Sequence, residues 1–242
     1  MLSLDRQNAL REAYQTSHPG WRPATELFAA WARELLPPQG RLLDVGCGRG
    51  GLIEQLGHSL ELVTGVDPDP RSLAEHRLGG RLARAAARAG SLPFANAAFD
   101  LALASWLLEH LARPEEALAE IGRVLKPGGA LVFITPNRRH PLVASYGRLG
   151  RLARAAGRQP QLVSHLYGRA AADTFRVAYR ANSQAELRGL AAGAGLALAR
   201  LAVVPDPTYL ALAPRLLRPL AWLERRLGPG RGVHLVGVLR KG

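Results

Sequence analysis

The chain is short of the residues that make covalent and metal-bound scaffolds. It has 242 residues, and only one of them, Cys47, is a cysteine. A single cysteine excludes an intrachain disulfide and a cysteine-rich metal site. No cluster of His, Asp and Glu has useful ligand spacing either, so no metal is expected. Lysine is nearly absent too, because only Lys126 and Lys241 among the 32 basic residues are lysines and the rest are arginine.

Long apolar runs are also missing. No uninterrupted apolar stretch reaches the roughly 18 residues that a membrane span requires. The first residues lack the basic-then-apolar form of a signal peptide. We therefore expect a cytoplasmic protein, with a position peripheral to the inner membrane face as the alternative. The length and a hydrophobic content of 48% suit one α/β domain with insertions.

The charge balance is strongly basic, with a formal net charge of +13. Such a charge is typical of proteins that bind nucleic acid or an anionic membrane surface. Here the arginines are scattered, no run of five basic residues occurs, and few aromatic residues lie among them. This distribution favours a compositional origin for the charge and disfavours nucleic acid as a partner.

The most informative segment is LLDVGCGRG at residues 42–50, followed by GVD at residues 65–67. Glycine lets the backbone turn sharply and lets a ligand approach it closely. An acid about 20 residues after such a loop, at the end of the next strand, can accept both hydroxyls of a ribose. The pattern therefore predicts a nucleoside cradle in a βαβ unit. The spacing of Gly46, Gly48 and Gly51 also fits the dinucleotide fingerprint, which leaves a nicotinamide-dependent oxidoreductase as an alternative.

An ordered series of motifs resembles that of the class I S-adenosylmethionine-dependent methyltransferases, in the branch called methyltransferase type 11. The run DVGCGRG is similar to the family's first motif, and GVDP at residues 65–68 is similar to its second. The resemblance covers residues 40–136 and implies S-adenosylmethionine as the cofactor. The later motifs are Leu92-Pro93-Phe94, Phe99-Asp100-Leu101, Leu108-Glu109-His110 and Leu125-Lys126-Pro127-Gly128-Gly129.

The resemblance also implies a set of cofactor-binding residues. Asp67 is expected to bind the ribose, Asp44 to orient the glycine loop, and Cys47 to pack there without acting as a nucleophile. Tyr14 belongs to an N-terminal segment that in this family often folds over the cofactor as a lid. The set is Asp44, Gly46, Cys47, Gly48, Gly50, Asp67, Pro68, Ser91, Leu92, Ser105 and Tyr14.

The adenine contact departs from the family's pattern. The family carries an acidic residue before its Leu-Pro-Phe motif, and this chain has Arg88 at that position. Backbone groups of residues 90–92 are expected to hold adenine instead, with the Ser91 hydroxyl as an added partner.

Two histidines are candidates for the base that takes the proton from a hydroxyl acceptor. His110 follows the fourth predicted strand and His140 follows the fifth. Histidine is suited to proton transfer near neutral pH. Glu-His recurs at the first of these places in the family across different acceptors, so a structural role for His110 is an alternative. His165 and Tyr179 lie in the insertion that is expected to cap the acceptor pocket.

The sequence argues against the common nucleobase chemistries. Residues 104–107, ASWL, do not match the Asn- or Asp-Pro-Pro-aromatic tetrad of amino-methyltransferases, and Cys47 lies in the glycine loop. We therefore expect a small-molecule acceptor and O-methylation of a lipophilic, glycan-type or lipid-type metabolite. The alternative is a nucleic-acid- or membrane-binding protein that uses its basic surface on a methyltransferase scaffold. The oligomeric state is not readable from the sequence.

The predicted fold is a doubly wound, seven-stranded, Rossmann-like α/β sheet with helices on both faces. One methyltransferase domain is expected over residues 1–242. Its parts are an N-terminal helical lead or lid at 1–38, a cofactor-binding core at 39–136, an acceptor-side insertion at 137–182, and a C-terminal half at 183–242 that contains a second insertion at 205–230.

The elements follow from hydrophobic runs and cap signals. Tyr209–Leu227 is predicted as a basic amphipathic helix that can lie on an anionic bilayer, with Leu212, Leu216, Leu220, Leu223 and Leu227 on one face. The alternatives for this helix are packing on the domain and a dimer contact.

Strands are predicted at 41–45, 60–66, 83–89, 99–105, 130–135, 196–204 and 233–239. Helices are predicted at 24–36, from Gly50, at 70–76, at 114–124 and from an N-cap at Ser183, with a turn at 126–129.

Overall fold

Seven strands form one sheet in a computed structural model of the chain, in the order β3-β2-β1-β4-β5-β7-β6. The structure describes residues 4–145, 147–148, 177–209 and 214–242. The strands are β1 (Leu42–Val45), β2 (Val63–Asp67), β3 (Ala83–Ala86), β4 (Phe99–Ser105), β5 (Leu125–Pro136), β6 (Leu196–Val204) and β7 (His234–Lys241).

The sheet is parallel on one side and antiparallel on the other. Strands β1 to β5 pair in parallel, whereas β7 runs antiparallel between β5 and β6. The strand order reverses between β1 and β4, both of which are buried over most of their length. Ligands in open α/β sheets bind beyond the carboxyl ends of the strands at such a reversal. The topology therefore places the site after Val45 and Ser105.

Helices cover both faces of the sheet, as predicted. Phe28 packs in one buried cluster with Val132, and Leu118 and Leu187 pack in the other with Phe133. Val132 and Phe133 are consecutive in β5 and enter opposite clusters because side chains alternate along a strand. The helices are α1 (Leu4–Ser17), α2 (Ala24–Leu35), α3 (Pro70–Ala74), α4 (Pro114–Val124), α5 (Gln184–Gly193) and α6 (Leu217–Arg226).

The predicted cap of α5 is confirmed. The Ser183 Oγ accepts a hydrogen bond from the Glu186 amide at 3.4 Å. In return, Glu186 Oε2 accepts from the Ser183 hydroxyl at 2.7 Å and from the Asn182 amide at 3.3 Å. This reciprocal arrangement satisfies amides that the first turn of a helix leaves without intrahelical partners.

Three predicted elements around the glycine loop are wrong in extent. The helix predicted from Gly50 is only a 3₁₀ turn at Leu52–Gln55, bracketed by left-handed glycines, Gly50 at φ +92° and Gly57 at φ +67°. The second strand begins at Val63, since residues 60–62 form another 3₁₀ turn. The third strand ends at Ala86, because its partner β2 ends at Asp67.

The predicted turn at 126–129 is instead a bulge within β5. Leu125 pairs with Phe99 and Ala130 pairs with Leu101, so the residues between them swell out of the ladder. Lys126 Nζ is held there at 2.8 Å from both carboxylate oxygens of Asp100. The strand thus starts earlier than the apolar pattern indicates.

The helix predicted over Tyr209–Leu227 is shorter and is rotated relative to the prediction. Residues 210–213, and Leu212 among them, lie outside the described residues, and α6 begins only at Leu217. Pro219 is tolerated because it lies in the first turn, where its missing N–H has no intrahelical acceptor. Leu217 and Ala221 form the buried side, packing against Leu10 of α1 through Leu217, while Leu223 is exposed.

Candidate cofactor and acceptor site

The glycine loop after β1 is tied to the end of β2. Gly46, Gly48 and Gly50 have φ of +75°, +50° and +92°, a region that residues with a Cβ rarely adopt. The amides of Gly46 and Cys47 both donate to the Val66 carbonyl oxygen, at 2.7 and 3.0 Å. These bonds curl the loop over the sheet edge and leave one side of its backbone open.

Asp67 lies directly below this loop. Its Oδ2 accepts a hydrogen bond from the Gly48 amide at 3.0 Å, and its Oδ1 accepts from the Asp69 amide at 2.9 Å. The residue is 9% exposed. Each carboxylate oxygen can accept more than one hydrogen bond, so the pair of amides orients the group and leaves it able to receive ribose hydroxyls.

A cavity of about 360 Å³ opens above the loop. The volume lies in the range of small-molecule and cofactor pockets. Six residues predicted for cofactor binding line it: Asp44, Gly46, Cys47, Gly48, Gly50 and Ser105. The lining also includes Arg49, Gly51, Leu52, Gln55, Arg77 and Trp106.

The residues around the cavity fit a cationic nucleoside ligand. A Cβ built on Gly48 would meet only Asp67 Oδ2, at 3.9 Å, so the space beside this glycine is open. Glu54 Oε1 is buried without a hydrogen-bond partner among the described residues. Burial, and then the nearby carboxylates of Glu54 and Asp67, raise the pKa of Asp44 to about 7. A positively charged ligand would relieve this crowding of acids.

Cys47 packs as predicted. A Cβ on Gly65 would lie 2.8 Å from the Cys47 Sγ, so the sulfur sits directly on the β2 backbone. Burial, followed by the charges of Asp44 and Asp67, raises the pKa of the Cys47 thiol to about 12. A thiol in that state is protonated at neutral pH and is a poor nucleophile.

Two of the backbone amides that were predicted to hold adenine already donate hydrogen bonds within the protein. The Ser91 amide donates to the Arg88 carbonyl oxygen at 2.9 Å, and the Leu92 amide donates to Glu120 Oε2 at 2.8 Å. Pro68 is exposed beside Asp67. The Ser91 hydroxyl is left as the side-chain group of this segment for adenine, and the assignments of Ser91, Leu92 and Pro68 stay predictions.

Tyr14 lies in an aromatic group of the N-terminal segment and is not among the described residues that line the cavity. Its ring stacks on His18 with centroids 4.2 Å apart and meets Trp21 edge-on at 5.0 Å. The Trp21 Nε1 donates to the Pro205 carbonyl oxygen at 2.7 Å, which joins the N-terminal lead to the second insertion. Burial raises the pKa of Tyr14 above its ordinary value. Its contact with cofactor stays a prediction.

Trp106 connects the cavity to a second polar region. It follows β4 with φ +55°, a strained conformation for a bulky residue, and its amide donates to the Ile134 carbonyl oxygen at 3.0 Å. The indole lines the cavity, and its ring meets the imidazole of His234 with centroids 5.0 Å apart. His234 therefore stands behind the cavity wall.

Behind Trp106 lies a largely buried group of titratable residues, which we call the acid–histidine cluster: Arg11, His140, Asp206, Glu224 and His234. Glu224 Oε1 lies 3.7 Å from His140 Nε2 and accepts from the Asp206 amide at 3.3 Å. Asp206 Oδ2 lies 3.6 Å from Arg11 Nη2. The Glu224 Oε2 is buried and has no hydrogen-bond partner in the described part of the chain.

Burial sets the protonation of the acid–histidine cluster. It raises the pKa of Glu224 to about 7, with a bond from the Asp206 amide opposing the rise and the Asp206 charge adding to it. Burial lowers the pKa of His140 below its ordinary value and lowers that of His234 to about 4. Near neutral pH both imidazoles are therefore neutral while Glu224 is poised between its two states.

His110 ends a 3₁₀ turn at Leu108–His110 and its amide donates to the Leu107 carbonyl oxygen at 2.9 Å. Its neighbour Glu109 is part of a buried network. Glu109 Oε2 accepts from the Thr135 hydroxyl at 2.9 Å, and that hydroxyl accepts from Asn182 Nδ2 at 2.7 Å. The network joins β5 to the start of α5, which supports a structural role for the Glu-His motif.

The two residues predicted to lie in the insertion over the acceptor pocket are His165 and Tyr179. His165 lies outside the described residues, and Tyr179 is buried with its amide donating to the Glu109 carbonyl oxygen at 3.1 Å. Within the described ranges no His, Cys, Asp and Glu side chains group as metal ligands do. The helices described there are too short or too polar to cross a bilayer.

Comparison with known proteins agrees with this geometry. Residues 43–133 match the family model of the methyltransferase domain. An uncharacterised methyltransferase of Mycobacterium tuberculosis is 36% identical over 176 residues, which are 67% of this chain and 65% of that protein. The ubiquinone biosynthesis O-methyltransferase of Cereibacter sphaeroides is 37% identical over 122 residues, 47% of this chain and 49% of that protein. This chain thus spans about two thirds of the length of the mycobacterial relative.

A solved structure shows the same fold. A SAM-dependent methyltransferase from Methanosarcina mazei superposes with a TM-score of 0.60 at 21% identity, over 87% of this chain and 96% of that one. The dinucleotide-binding sheet has the order 3-2-1-4-5-6, whereas here an antiparallel β7 lies between β5 and β6. The family model, the glycine loop with Asp67 and the strand order agree, and residues 43–133 belong to the class I methyltransferase domain, whose methyl donor is S-adenosylmethionine.

Proposed function

We propose that this protein is an S-adenosylmethionine-dependent methyltransferase that O-methylates a small lipophilic, glycan-type or lipid-type acceptor. The observation that carries the proposal is the Asp67 carboxylate held under the open glycine loop by the Gly48 amide. Asp67 would bind the ribose hydroxyls, and the loop from Gly46 to Gly50 would receive the rest of the cofactor. The carboxyls of Asp44 and Glu54 favour a ligand that carries positive charge.

The chemistry requires a place for one proton. When bound, S-adenosylmethionine supplies a methyl group on a cationic sulfur, and transfer to a hydroxyl replaces the sulfur–methyl bond with an oxygen–methyl bond and releases one proton. A group of this chain whose pKa lies near the working pH is suited to accept it. Glu224, with a pKa of about 7, meets that condition.

The contacts around Glu224 favour it as the proton acceptor and favour His140 as the residue that positions it. The Leu142 amide donates to His140 Nδ1 at 3.3 Å. A neutral imidazole that accepts at Nδ1 carries its proton on Nε2, and this atom faces Glu224 Oε1. The Glu224 Oε2, which has no hydrogen-bond partner among the described residues, would then be the oxygen that accepts from an acceptor hydroxyl. His140 as the base itself and His110 as the base are the competing assignments.

Two further observations support an oxygen acceptor. One relative bears the name ubiquinone biosynthesis O-methyltransferase, and it is 37% identical over the part that matches. Trp106 and the apolar residues after β4 offer no amide pair of the kind that orients an exocyclic amine. A hydroxyl on an apolar acceptor is the class of substrate that these features favour.

The test is a screen with methyl-labelled S-adenosylmethionine against phenols, hydroxylated lipids, sugars and amines, followed by pH–rate profiles of variants. Glu224→Gln is expected to lower turnover by roughly 10²–10⁴-fold and to remove the limb of the profile near pH 7. His140→Gln should shift that limb, because it changes the partner of Oε1.

Glu61→Gln is the matched control, since Glu61 is an exposed carboxyl in the 3₁₀ turn before β2. It should leave rate and profile unchanged. All variants should bind S-adenosylhomocysteine within about twofold of the wild type. Label found only on amines, or a Glu224→Gln enzyme as fast as the wild type, would show that the oxygen acceptor or its base is wrongly assigned.

A further inference from the structure

The outer side of α6 combines exposed apolar and basic side chains. Trp222 is 53% exposed, Leu223 is 48% exposed, and Leu216, just before the helix, is 37% exposed. Contiguous apolar exposure of this kind in a basic surround marks an interaction surface, whereas single exposed leucines do not. We call this surface the α6 outer face, and its residues, all exposed, are Arg215, Leu216, Arg218, Trp222, Leu223, Arg225 and Arg226.

The two sides of α6 differ in charge. Leu217 and Ala221 are buried, and Leu217 packs on Leu10 of α1. Glu224 is the only acid in α6, and its side chain is turned inward against His140 with 12% exposure. The outer face of the helix therefore has arginine and apolar groups and no carboxylate to neutralise them.

A further exposed apolar side chain, Leu142, lies close in sequence to a residue that contacts α6. Leu142 is 36% exposed and lies two residues from His140, the imidazole that meets Glu224. Arg139, next to His140 on the other side, is also exposed. The large apolar side chains that the described residues expose are Leu142, Leu216, Trp222 and Leu223. Three of these four thus lie on α6 or directly before its first residue.

The composition of the face fits a lipid surface better than a nucleic acid or a protein. Arg226 lies 4.8 Å from the centre of the Trp222 ring, so an indole and a guanidinium form one amphipathic unit. Tryptophan favours the headgroup level of a bilayer, leucine favours the acyl boundary, and arginine favours anionic headgroups. Exposed leucines would find no partner on an RNA backbone.

We propose that the α6 outer face docks this protein on an anionic lipid surface. The leucines and Trp222 enter the acyl boundary, and the arginines contact lipid phosphates, each strengthening binding about fivefold. Docking itself is independent of methyl transfer. It deepens the proposed function in one respect that rests on that function: the helix that docks also carries Glu224 on its inner side, so a lipophilic acceptor in the bilayer would lie one helix away from the proposed base.

Sedimentation with vesicles tests the proposal, using cofactor-free protein so that failure of docking and failure of catalysis are separate results. Binding is expected to vesicles of phosphatidylglycerol mixed with phosphatidylcholine and to be at least tenfold weaker to phosphatidylcholine alone. Binding should fall as salt screens the arginines. Tryptophan emission should shift to the blue on binding, and Trp222→Ser should abolish that shift.

Variants of the α6 outer face separate the contribution of its apolar side chains from that of its arginines. Trp222→Ser combined with Leu223→Ser should lower vesicle binding by at least tenfold, and Arg218→Gln or Arg225→Gln by about fivefold each. Arg81→Gln is the control, because Arg81 is an exposed arginine beside β3, at the edge of the sheet opposite β6. It should bind as the wild type does. Circular dichroism melts confirm that each variant is folded.

Several results would overturn the proposal. Equal binding to neutral and anionic vesicles, or undiminished binding by the Trp222→Ser, Leu223→Ser protein, would show that this face does not contact lipid. Salt-sensitive binding of single-stranded RNA with no vesicle binding would assign the arginines to nucleic acid. A dimer in sedimentation equilibrium that Leu223→Ser dissociates would assign the face to a second copy of the chain.

Discussion

At the scale of single residues, the site depends on acids whose protonation is set by burial. Asp44 is 5% exposed and lines the cavity beside the loop glycines. Its pKa of about 7 means that the folded, ligand-free protein holds the proton more tightly than the unfolded chain does. The unfolded group titrates near 4. Asp44 therefore destabilises the ligand-free fold increasingly as the pH rises from about 4 to about 7.

Replacing Asp44 should remove this pH-dependent cost. We expect Asp44→Asn to have a larger free energy of unfolding than the wild type. The difference should grow from pH 4 to pH 7 and reach on the order of 2–4 kcal/mol. Urea melts at several pH values without cofactor measure it. Glu61→Gln, which changes an exposed carboxyl, should run parallel to the wild type. A gap between Asp44→Asn and wild type that is the same at pH 4 and pH 8 contradicts this assignment.

Residue roles could be predicted where the chemistry is local and not where it is assembled from distant segments. The glycines, Asp44 and Asp67 occupy adjoining turns, and the structure brings them together as the motif indicates. Glu224 gave no comparable signal, because its burial and its contact with His140 depend on packing between separate segments. Its raised pKa is a property of the assembled fold.

At the scale of elements, the glycine loop is the part whose conformation the function requires most directly. The loop is left-handed at three glycines and is fixed to β2 by two amides on the Val66 carbonyl oxygen. A side chain added there meets two separate costs, backbone strain and loss of the open space beside the loop. A second glycine of similar conformation elsewhere allows these costs to be separated.

Gly48→Ala and Gly57→Ala form that pair. Gly48 has φ +50° beside Asp67, whereas Gly57 has φ +67° with nothing within 4 Å of an added Cβ. Both should lose about 1 kcal/mol of stability through left-handed strain. Only Gly48→Ala should weaken binding of S-adenosylhomocysteine, by tenfold or more, as measured by calorimetric titration. Equal affinities for the two variants would mean that no ligand approaches the loop at Gly48.

The bounds of helices and strands could be predicted where buried apolar runs and helix caps mark them. Strands β4 and β6 and helices α4 and α5 have the predicted bounds, since continuous apolar runs, Pro114 and Ser183 mark them. The bounds of the 3₁₀ turn after Gly50 could not be predicted, because this segment is too short to propagate a helix. The buried side of α6 could not be predicted either, because contact with Leu10 sets the orientation of that helix. Periodicity alone cannot choose between two apolar stripes on one helix.

At the scale of the whole molecule, the sheet order joins the two halves of the site. The reversal between β1 and β4 positions the glycine loop and Trp106 at one cavity, and β7 brings His234 behind it. The second insertion then adds Asp206 and Glu224, and α1 adds Arg11. The cavity at the glycine loop and the acid–histidine cluster are thus built from separate segments of the chain that meet at Trp106.

Calorimetric titration of the purified protein with S-adenosylhomocysteine, with NAD as the control ligand, tests whether the glycine loop and Asp67 form a binding site for S-adenosylmethionine. Micromolar binding of the first ligand alone is predicted. Asp67→Ala should weaken it by roughly 1.5–3 kcal/mol, because a charged acceptor of two hydroxyls is removed. Asp69→Ala, which removes the N-cap of α3 and leaves the Asp69 amide on Asp67, should bind as the wild type does. Binding of NAD in place of S-adenosylhomocysteine would contradict the assignment of the cofactor. Unchanged affinity in Asp67→Ala would contradict the assignment of Asp67 to the ribose.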